Sequence, residues 1–187
     1  MARIVSVNVG KVAGLPWNGG QVLSGFVKRS VAGPVRVADH HLEGDEQGDR
    51  TVHGGPRKAV YLYSADHYDW WRSELPGVEL PWGSFGENLT VSGIREPDVH
   101  IGDRWRAGTA VLEVTQPRSP CFKMNARFAR ADMIPRFWQS RRSGFYLRIV
   151  TEGVVARGDA FDRTHEAADA PTVSDEVERR YRATLDP

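Results

Sequence analysis

The sequence predicts a mainly β protein, a distorted β-barrel with a few packed helices. Three observations carry that prediction. Short runs of alternating or β-branched apolar residues recur along the 187-residue chain, among them Arg3-Ile4-Val5-Ser6-Val7-Asn8-Val9 and Ala59-Val60-Tyr61-Leu62-Tyr63. Connections rich in glycine and proline separate these runs at short intervals. Helical patterning is confined to a few short segments, and there is no internal repeat or heptad.

In chain order, residues 3–9 read as a strand entering the core, and residues 10–20, with four glycines, Pro16 and Asn18, as a loop or hairpin. Residues 21–27 and 35–38 have strand composition. The stretch 40–56 is rich in Gly, Asp and His, has no usable apolar period, and should be an irregular loop. After the buried strand 59–63, Ser64 can cap a helix whose Tyr68, Trp71 and Leu75 share one face, and Pro76-Gly77 ends it. Strands are expected at 87–91, 103–107 and 110–115, with a tight connection at Ala107-Gly108-Thr109. Residues 122–130 and 132–142 should be helical, separated or kinked near Pro135, before strands at 145–151 and 154–157. Thr172, with Asp175 three positions later, resembles the start of a peripheral helix carrying Val177 and Tyr181.

Composition narrows the function. Apolar residues make up 40% and charged residues 26% of the chain, which is ordinary for a globular protein. A net charge of +1 argues against a general nucleic-acid binder. No segment approaches a membrane span and none reads as a leader, so a cytoplasmic protein is expected. Charge is nevertheless uneven. Between residues 115 and 150 the bases Arg118, Lys123, Arg127, Arg130, Arg136, Arg141, Arg142 and Arg148 face only Asp132, which suits either an anionic partner or a solvated helix face.

The chemistry concentrates at Gln116-Pro117-Arg118-Ser119-Pro120-Cys121-Phe122-Lys123-Met124-Asn125, around the only cysteine. A strand should end near Thr115 and a helix begin near Phe122, placing the thiol where unpaired N–H groups and the positive helix end favour a thiolate. Arg118 and Lys123 reinforce this, so Cys121 suits a nucleophile or a soft metal ligand better than an inert buried thiol. A second constellation, 42–56, holds Asp45, Asp49 and His53, with Gly54-Gly55 able to approach an anion and Arg50, Arg57 and Lys58 to supply charge. The same residues would equally make an ordinary hydrogen-bonded loop, and they are a poor zinc set. The third piece, Gly83-Ser84-Phe85-Gly86-Glu87-Asn88-Leu89-Thr90, reads first as a turn, although Glu87 and Asn88 could line a pocket. Phosphate-loop, serine-elbow, zincin and dinucleotide fingerprints are absent.

Five segments in order, Leu42-Glu43-Gly44-Asp45-Glu46-Gln47, Val52-His53-Gly54-Gly55-Pro56, Phe85-Gly86-Glu87-Asn88-Leu89, Ile101-Gly102-Asp103 and the Cys121 loop, resemble the MOSC family, in particular its stand-alone bacterial YiiM-like branch. The likeness runs from about residue 4 to 160, suggesting a MOSC-like domain over 1–165 and a short C-terminal tail, 166–187, with one helix. That branch usually continues into a compact helical segment, for which this tail has room for little more than one helix.

The resemblance implies a molybdenum–pterin cofactor (molybdopterin) whose metal is ligated by Cys121, with Arg118, Ser119, Lys123, His53, Gly54, Gly55 and Lys11 as candidates to hold its phosphate and pterin. Asp49 and Asp45 match acidic positions of the family loop and are the candidate catalytic acids beside Cys121. Arg179 and Arg180 are expected to lie away from the site. The resemblance implies an oxidoreductase acting on N-hydroxylated small molecules (purine bases, hydroxylamines, amidoximes). Lacking a flavin or nicotinamide fingerprint, it would draw electrons from a separate reductase. The alternatives are a sulfur-transfer protein carrying a persulfide on Cys121 and a non-catalytic cofactor carrier.

Overall fold

The computed structural model describes residues 1–47 and 54–185. The chain begins with β1 (Arg3–Val9), β2 (Ala13–Trp17), β3 (Gly20–Ser24), β4 (Arg29–Ser30), β5 (Val35–Ala38) and β6 (His41–Leu42). Then come β7 (Val60–Ser64), α1 (Tyr68–Glu74), β8 (Leu89–Ser92), β9 (Arg104–Ala107) and β10 (Ala110–Pro117). The remainder is α2 (Phe122–Phe128), α3 (Met133–Ser140), β11 (Phe145–Thr151), β12 (Gly153–Val155), β13 (Phe161–His165) and α4 (Val173–Leu185).

Eight strands form the main sheet in the order β13-β9-β10-β11-β7-β8-β1-β4; β12-β5-β6 and the β2-β3 hairpin are smaller sheets. The β7–β8 pair alone is parallel among the described ladders, because α1 carries the chain back between them. The protein is thus sheet-dominated with four described helices, as expected, but a closed barrel is not confirmed. Its hydrogen-bonded ladder is open, with β13 and β4 at the ends. A single bridge, Arg3 to Ala160, joins the start of β1 to the residues before β13, flanked by Phe161 N–H donating to Ala2 O at 3.0 Å.

β7 organises the interior. All five of its residues are buried, and because alternate strand side chains point to opposite faces, its two faces serve different cores. Val60 and Leu62 join an aliphatic cluster with Ile4, Val7, Leu89, Leu112 and Leu147. Tyr61 and Tyr63 enter an aromatic cluster to which α1 contributes Tyr68 and Trp71, α2 contributes Phe128, and α3 contributes Phe137. The helices therefore sit over the aromatic face. Ser64 ends β7 by accepting a hydrogen bond from Asp66 N–H at 3.2 Å, and Tyr68, Trp71 and Leu75 are buried on one face as their spacing predicts.

Several boundaries differ for local reasons. β3 stops at Ser24, whose hydroxyl accepts from Phe26 N–H at 3.1 Å and turns the chain inward. Pro135 does not kink a helix; it lies in the first turn of α3, where its missing N–H has no partner to lose, and the break falls at Ala129, with φ 50°. β13 was not expected, since Phe161-Asp162-Arg163-Thr164-His165 is a polar edge strand with one buried side chain. α4 is not peripheral: Val173 and Val177 are buried in the aliphatic core. Its start is a reciprocal cap, Thr172 N–H to Asp175 Oδ2 and Asp175 N–H to Thr172 Oγ1, both 3.0 Å.

A buried carboxylate ties the 3-10 turn after β7 to the start of β11. Glu96 accepts from Gly144 N–H at 2.8 Å and faces His67 Nε2 at 2.8 Å. Burial pushes its pKa up, but the bonds from His67 and Gly144 outweigh this and hold it below the usual 4.5. A carboxylate with a depressed folded-state pKa adds stability above its unfolded value, and loses it as pH falls through the folded one. Glu96→Gln should therefore cost about 2 kcal/mol at neutral pH, and the gap to the parent should close as urea melts are repeated below pH 4.5. A gap independent of pH would contradict the ionic role.

Candidate functional site

Cys121 stands where the sequence places it. β10 ends at Pro117, paired to Phe145 of β11, and α2 begins at Phe122 with Cys121 extended at its N-cap (φ −139°, ψ 170°). Pro117 and Pro120 have no N–H to pair, so this corner is held from outside. The thiol is free and half-buried. It opens on a cavity of about 580 Å³, its solvent-facing mouth included, lined also by Lys28, Lys58, Arg118 and Lys123.

Arg118 runs inward beneath the thiol. Only 6% exposed, it donates to Phe85 O, and its guanidinium carbon lies 4.7 Å from the ring centroids of both Phe26 and Tyr61. Burial alone would lower its pKa, but the surrounding Tyr61, Tyr146 and Cys121 more than offset that and raise it. The charge under the cavity is permanent. Tyr61 is fixed in turn by donating to Ser143 O at 2.7 Å.

Lys28 enters from the opposite wall and pairs with Asp45, both side chains being almost fully buried. Burial pulls the ammonium below its ordinary value, and the adjacent carboxylate resists that. Asp45 also accepts from Gly10 N–H at 2.8 Å and from Asn88 Nδ2 at 2.9 Å. With both oxygens engaged, its geometry is that of an anchor for Lys28 and the 24–28 loop, not of the open catalytic acid expected from the sequence. Asn88 is the hinge of this arrangement, since its Oδ1 accepts from Tyr61 N–H at 3.1 Å. Its neighbour Glu87 is fully buried and organises the preceding turn, accepting from Gly83 N–H (2.8 Å), Phe85 N–H (3.1 Å), Thr90 Oγ1 (2.9 Å) and the Tyr68 hydroxyl. Burial raises its pKa.

The other expected residues divide. Lys123 lines the cavity. Ser119 is exposed and faces a second groove on the far side of Cys121. Lys11 does not line the cavity; it is exposed and pairs with Glu46 at 3.0 Å. Gly54 and Gly55 are half-buried outside the lining, and Gly55 N–H, at φ 87°, donates to Gln47 Oε1 at 3.3 Å instead of facing an open anion site. Their turn starts the short helix that presents Lys58. Asp49 and His53 lie outside the described residues.

Half of the basic segment is paired with acids: Arg130 and Arg136 bind Asp132, Arg141 binds Glu178, and Arg148 binds Glu113. Arg118 and Lys123 are its members in the cavity wall. Arg180 does not lie away from the site; it donates to Pro117 O at 3.2 Å. Sequence reasoning missed Lys28, Tyr61, Phe26 and Tyr146, which carry no local motif. For Asn88 the signal was present in the Glu87-Asn88 pair but read first as a turn.

Asp45 and Lys28 supply a stability test. Lys28→Met should cost about 3 kcal/mol or more by leaving a buried carboxylate unpaired, and Lys28→Met/Asp45→Asn should recover part of that. Urea melts that make the double variant as unstable as the sum of the singles would remove the coupling.

Comparisons with known proteins place the chain in a family. The MOSC domain family model matches residues 49–162. Protein YiiM of Escherichia coli is 36% identical over 154 residues, covering 81% of this chain and 67% of its own length. A protein named "Reductase" from Gibberella moniliformis is 37% identical over 144 residues, 75% of this chain but 26% of that much longer protein. The crystal structure of YiiM from Geobacillus stearothermophilus superposes with a TM-score of 0.80 at 32% identity, over 98% of this chain and 85% of the other. On the extent of the family match and these identities, the chain belongs to the MOSC domain family.

Proposed function

We propose that this chain is a molybdenum-cofactor oxidoreductase that reduces N-hydroxylated small molecules, with electrons from a separate reductase. The carrying observation is a free cysteine thiol opening on a cavity whose wall holds Lys58, Arg118 and Lys123, with Glu46 and the Lys28–Asp45 pair also present. Those residues fit the group: a thiolate is a soft ligand suited to a thiophilic metal, and fixed cations suit an anionic phosphate. Family membership and a relative named "Reductase" support the same reading.

In this reading Cys121 holds the metal, while Lys58, Lys123 and Arg118 balance the negative charge of the cofactor. When bound, the cofactor supplies two-electron redox chemistry. Arg118 cannot lose its proton and acts by charge and by stiffening the loop. Lys28, tethered to Asp45, closes the opposite wall without swinging free. Cleaving an N–O bond consumes two electrons and two protons and yields amine and water, so a proton source is required; Asp49 is the proposed acid. Ser119, Gly54, Gly55, Lys11 and His53 remain proposed as outer contacts from the family likeness.

Cys121→Ser should lose molybdenum when purified from a cofactor-competent host while melting like the parent, because a hydroxyl is a harder and far less acidic ligand. Equal metal content in both proteins would sink the ligand assignment. The loaded parent should be inert with NAD(P)H alone and should reduce members of a panel of N-hydroxylated bases, hydroxylamines and amidoximes once a chemical reductant or a flavoprotein is supplied. Failure across the panel, with sulfur accepted onto Cys121 from a cysteine desulfurase, would move the assignment to sulfur transfer. Tight cofactor binding with neither activity would make the chain a carrier.

A further inference from the structure

We propose that Arg180 of α4 is a positioning residue for Cys121, so that the last described helix sets the geometry of the thiol. The segment between β10 and α2 is poorly able to hold itself. Pro117 and Pro120 offer no N–H, and Arg118 N–H reaches Gly144 O only at 3.4 Å. Inward, the segment is fastened by the Arg118 side chain on Phe85 O. Outward, one guanidinium spans the last two residues of β10 and Ser119 of the segment. Arg180 Nη1 donates to Pro117 O at 3.2 Å and to Ser119 Oγ at 3.4 Å, and Nη2 donates to Gln116 Oε1 at 3.3 Å.

Arg180 is itself aimed by Glu176, one turn earlier, which accepts from its Nε at 2.9 Å. The helix beneath is fixed, with Val173 and Val177 buried in the aliphatic core. A planar fork of five donors on a docked helix can hold a bent segment where a point charge cannot. Arg180 also walls the groove on the far side of Cys121, together with Ser119, Pro120 and Tyr146, so its brace lies along the thiol's second exposed face. Every donation it makes to the loop is to a group two to five residues before Cys121. Its effect on the thiol therefore passes through the loop, by fixing where Cys121 sits between cavity and groove.

The inference deepens the molybdenum reading, but its main test needs no cofactor. Cys121 is the chain's only cysteine, so its alkylation by iodoacetamide in the metal-free protein reports this position alone. The rate is read on the alkaline plateau, where a change in the thiolate fraction does not contribute. Arg180→Ala should raise the plateau rate several-fold, and should lower molybdenum retention several-fold in protein from a cofactor-competent host. Arg179→Ala, on the exposed side of the same turn and paired among the described residues with Glu176, should leave both unchanged. Arg180→Lys keeps the charge but loses the fork and should behave like alanine; full rescue by lysine would overturn the positioning role. Arg141→Ala, which removes the Glu178 pair and the Tyr181 contact of α4, controls for helix docking. If it speeds alkylation as much as Arg180→Ala, loosening of α4 explains the effect and the brace is refuted. An alkylation effect in a protein that never holds molybdenum would preserve the brace and remove the metal reading.

Discussion

The site depends on a guanidinium that should be costly to bury. Arg118 leaves water almost completely, and the structure compensates it with the Phe85 carbonyl and the faces of two aromatic rings. Phe26 and Tyr61 belong to the aromatic half of the core, so the charge that faces Cys121 is seated on hydrophobic packing. The arrangement explains why β7 must be buried on both faces. Tyr61 on one face is part of the platform for Arg118, while Val60 and Leu62 complete the aliphatic core on the other side.

Among the described residues no carboxylate pairs with Arg118, and a buried cation so placed leaves positive potential where screening is poor. Lys28 differs, because Asp45 neutralises most of its charge and Asn88 and Gly10 complete the carboxylate's bonding. The cavity thus contains a structural ion pair on one wall and a net positive floor on the other. An anion entering it meets charge that is already desolvated and oriented, so little reorganisation opposes binding. Elsewhere in the same stretch of chain Arg130, Arg136, Arg141 and Arg148 are matched to acids, while Arg127 and Arg142 lie over the rings of Phe128 and Trp70.

Much of this was legible in the sequence, and the boundary of legibility is physical. Tyr68, Trp71 and Leu75 announced α1 because a 3.6-residue period survives in any short amphipathic helix. The strand-to-helix corner at Cys121 was legible because two prolines and the onset of helical composition are local signals. A closed barrel is not a local property, and the strand order does not confirm one, although backbone bonds join β1 to residues 158–161. β13 escaped notice because an edge strand needs few apolar residues. Lys28 and Tyr61 were invisible as site residues. They reach the cavity through pairings of distant segments, Lys28 with Asp45 and Tyr61 with Asn88, that no window of sequence displays.

The position of α4 shows how a correct local reading can still mislead. Its cap was recognisable in Thr172 and Asp175, yet a polar helix of mean charged character suggested a peripheral tail. Two valines one turn apart seat it in the core shared with β1, β7 and β10, and the Arg141 contacts to Glu178 and Tyr181 add to this. Once docked, its register decides which arginine faces the Cys121 loop. Arg179 points to solvent and spends its fork on Glu176, whereas Arg180, rotated by one residue, reaches Gln116, Pro117 and Ser119. A rotation of about 100° per residue separates a surface ion pair of small energetic weight from a brace on the reactive segment. Adjacent identical residues therefore carry different burdens, and only the packing of Val173 and Val177 tells them apart.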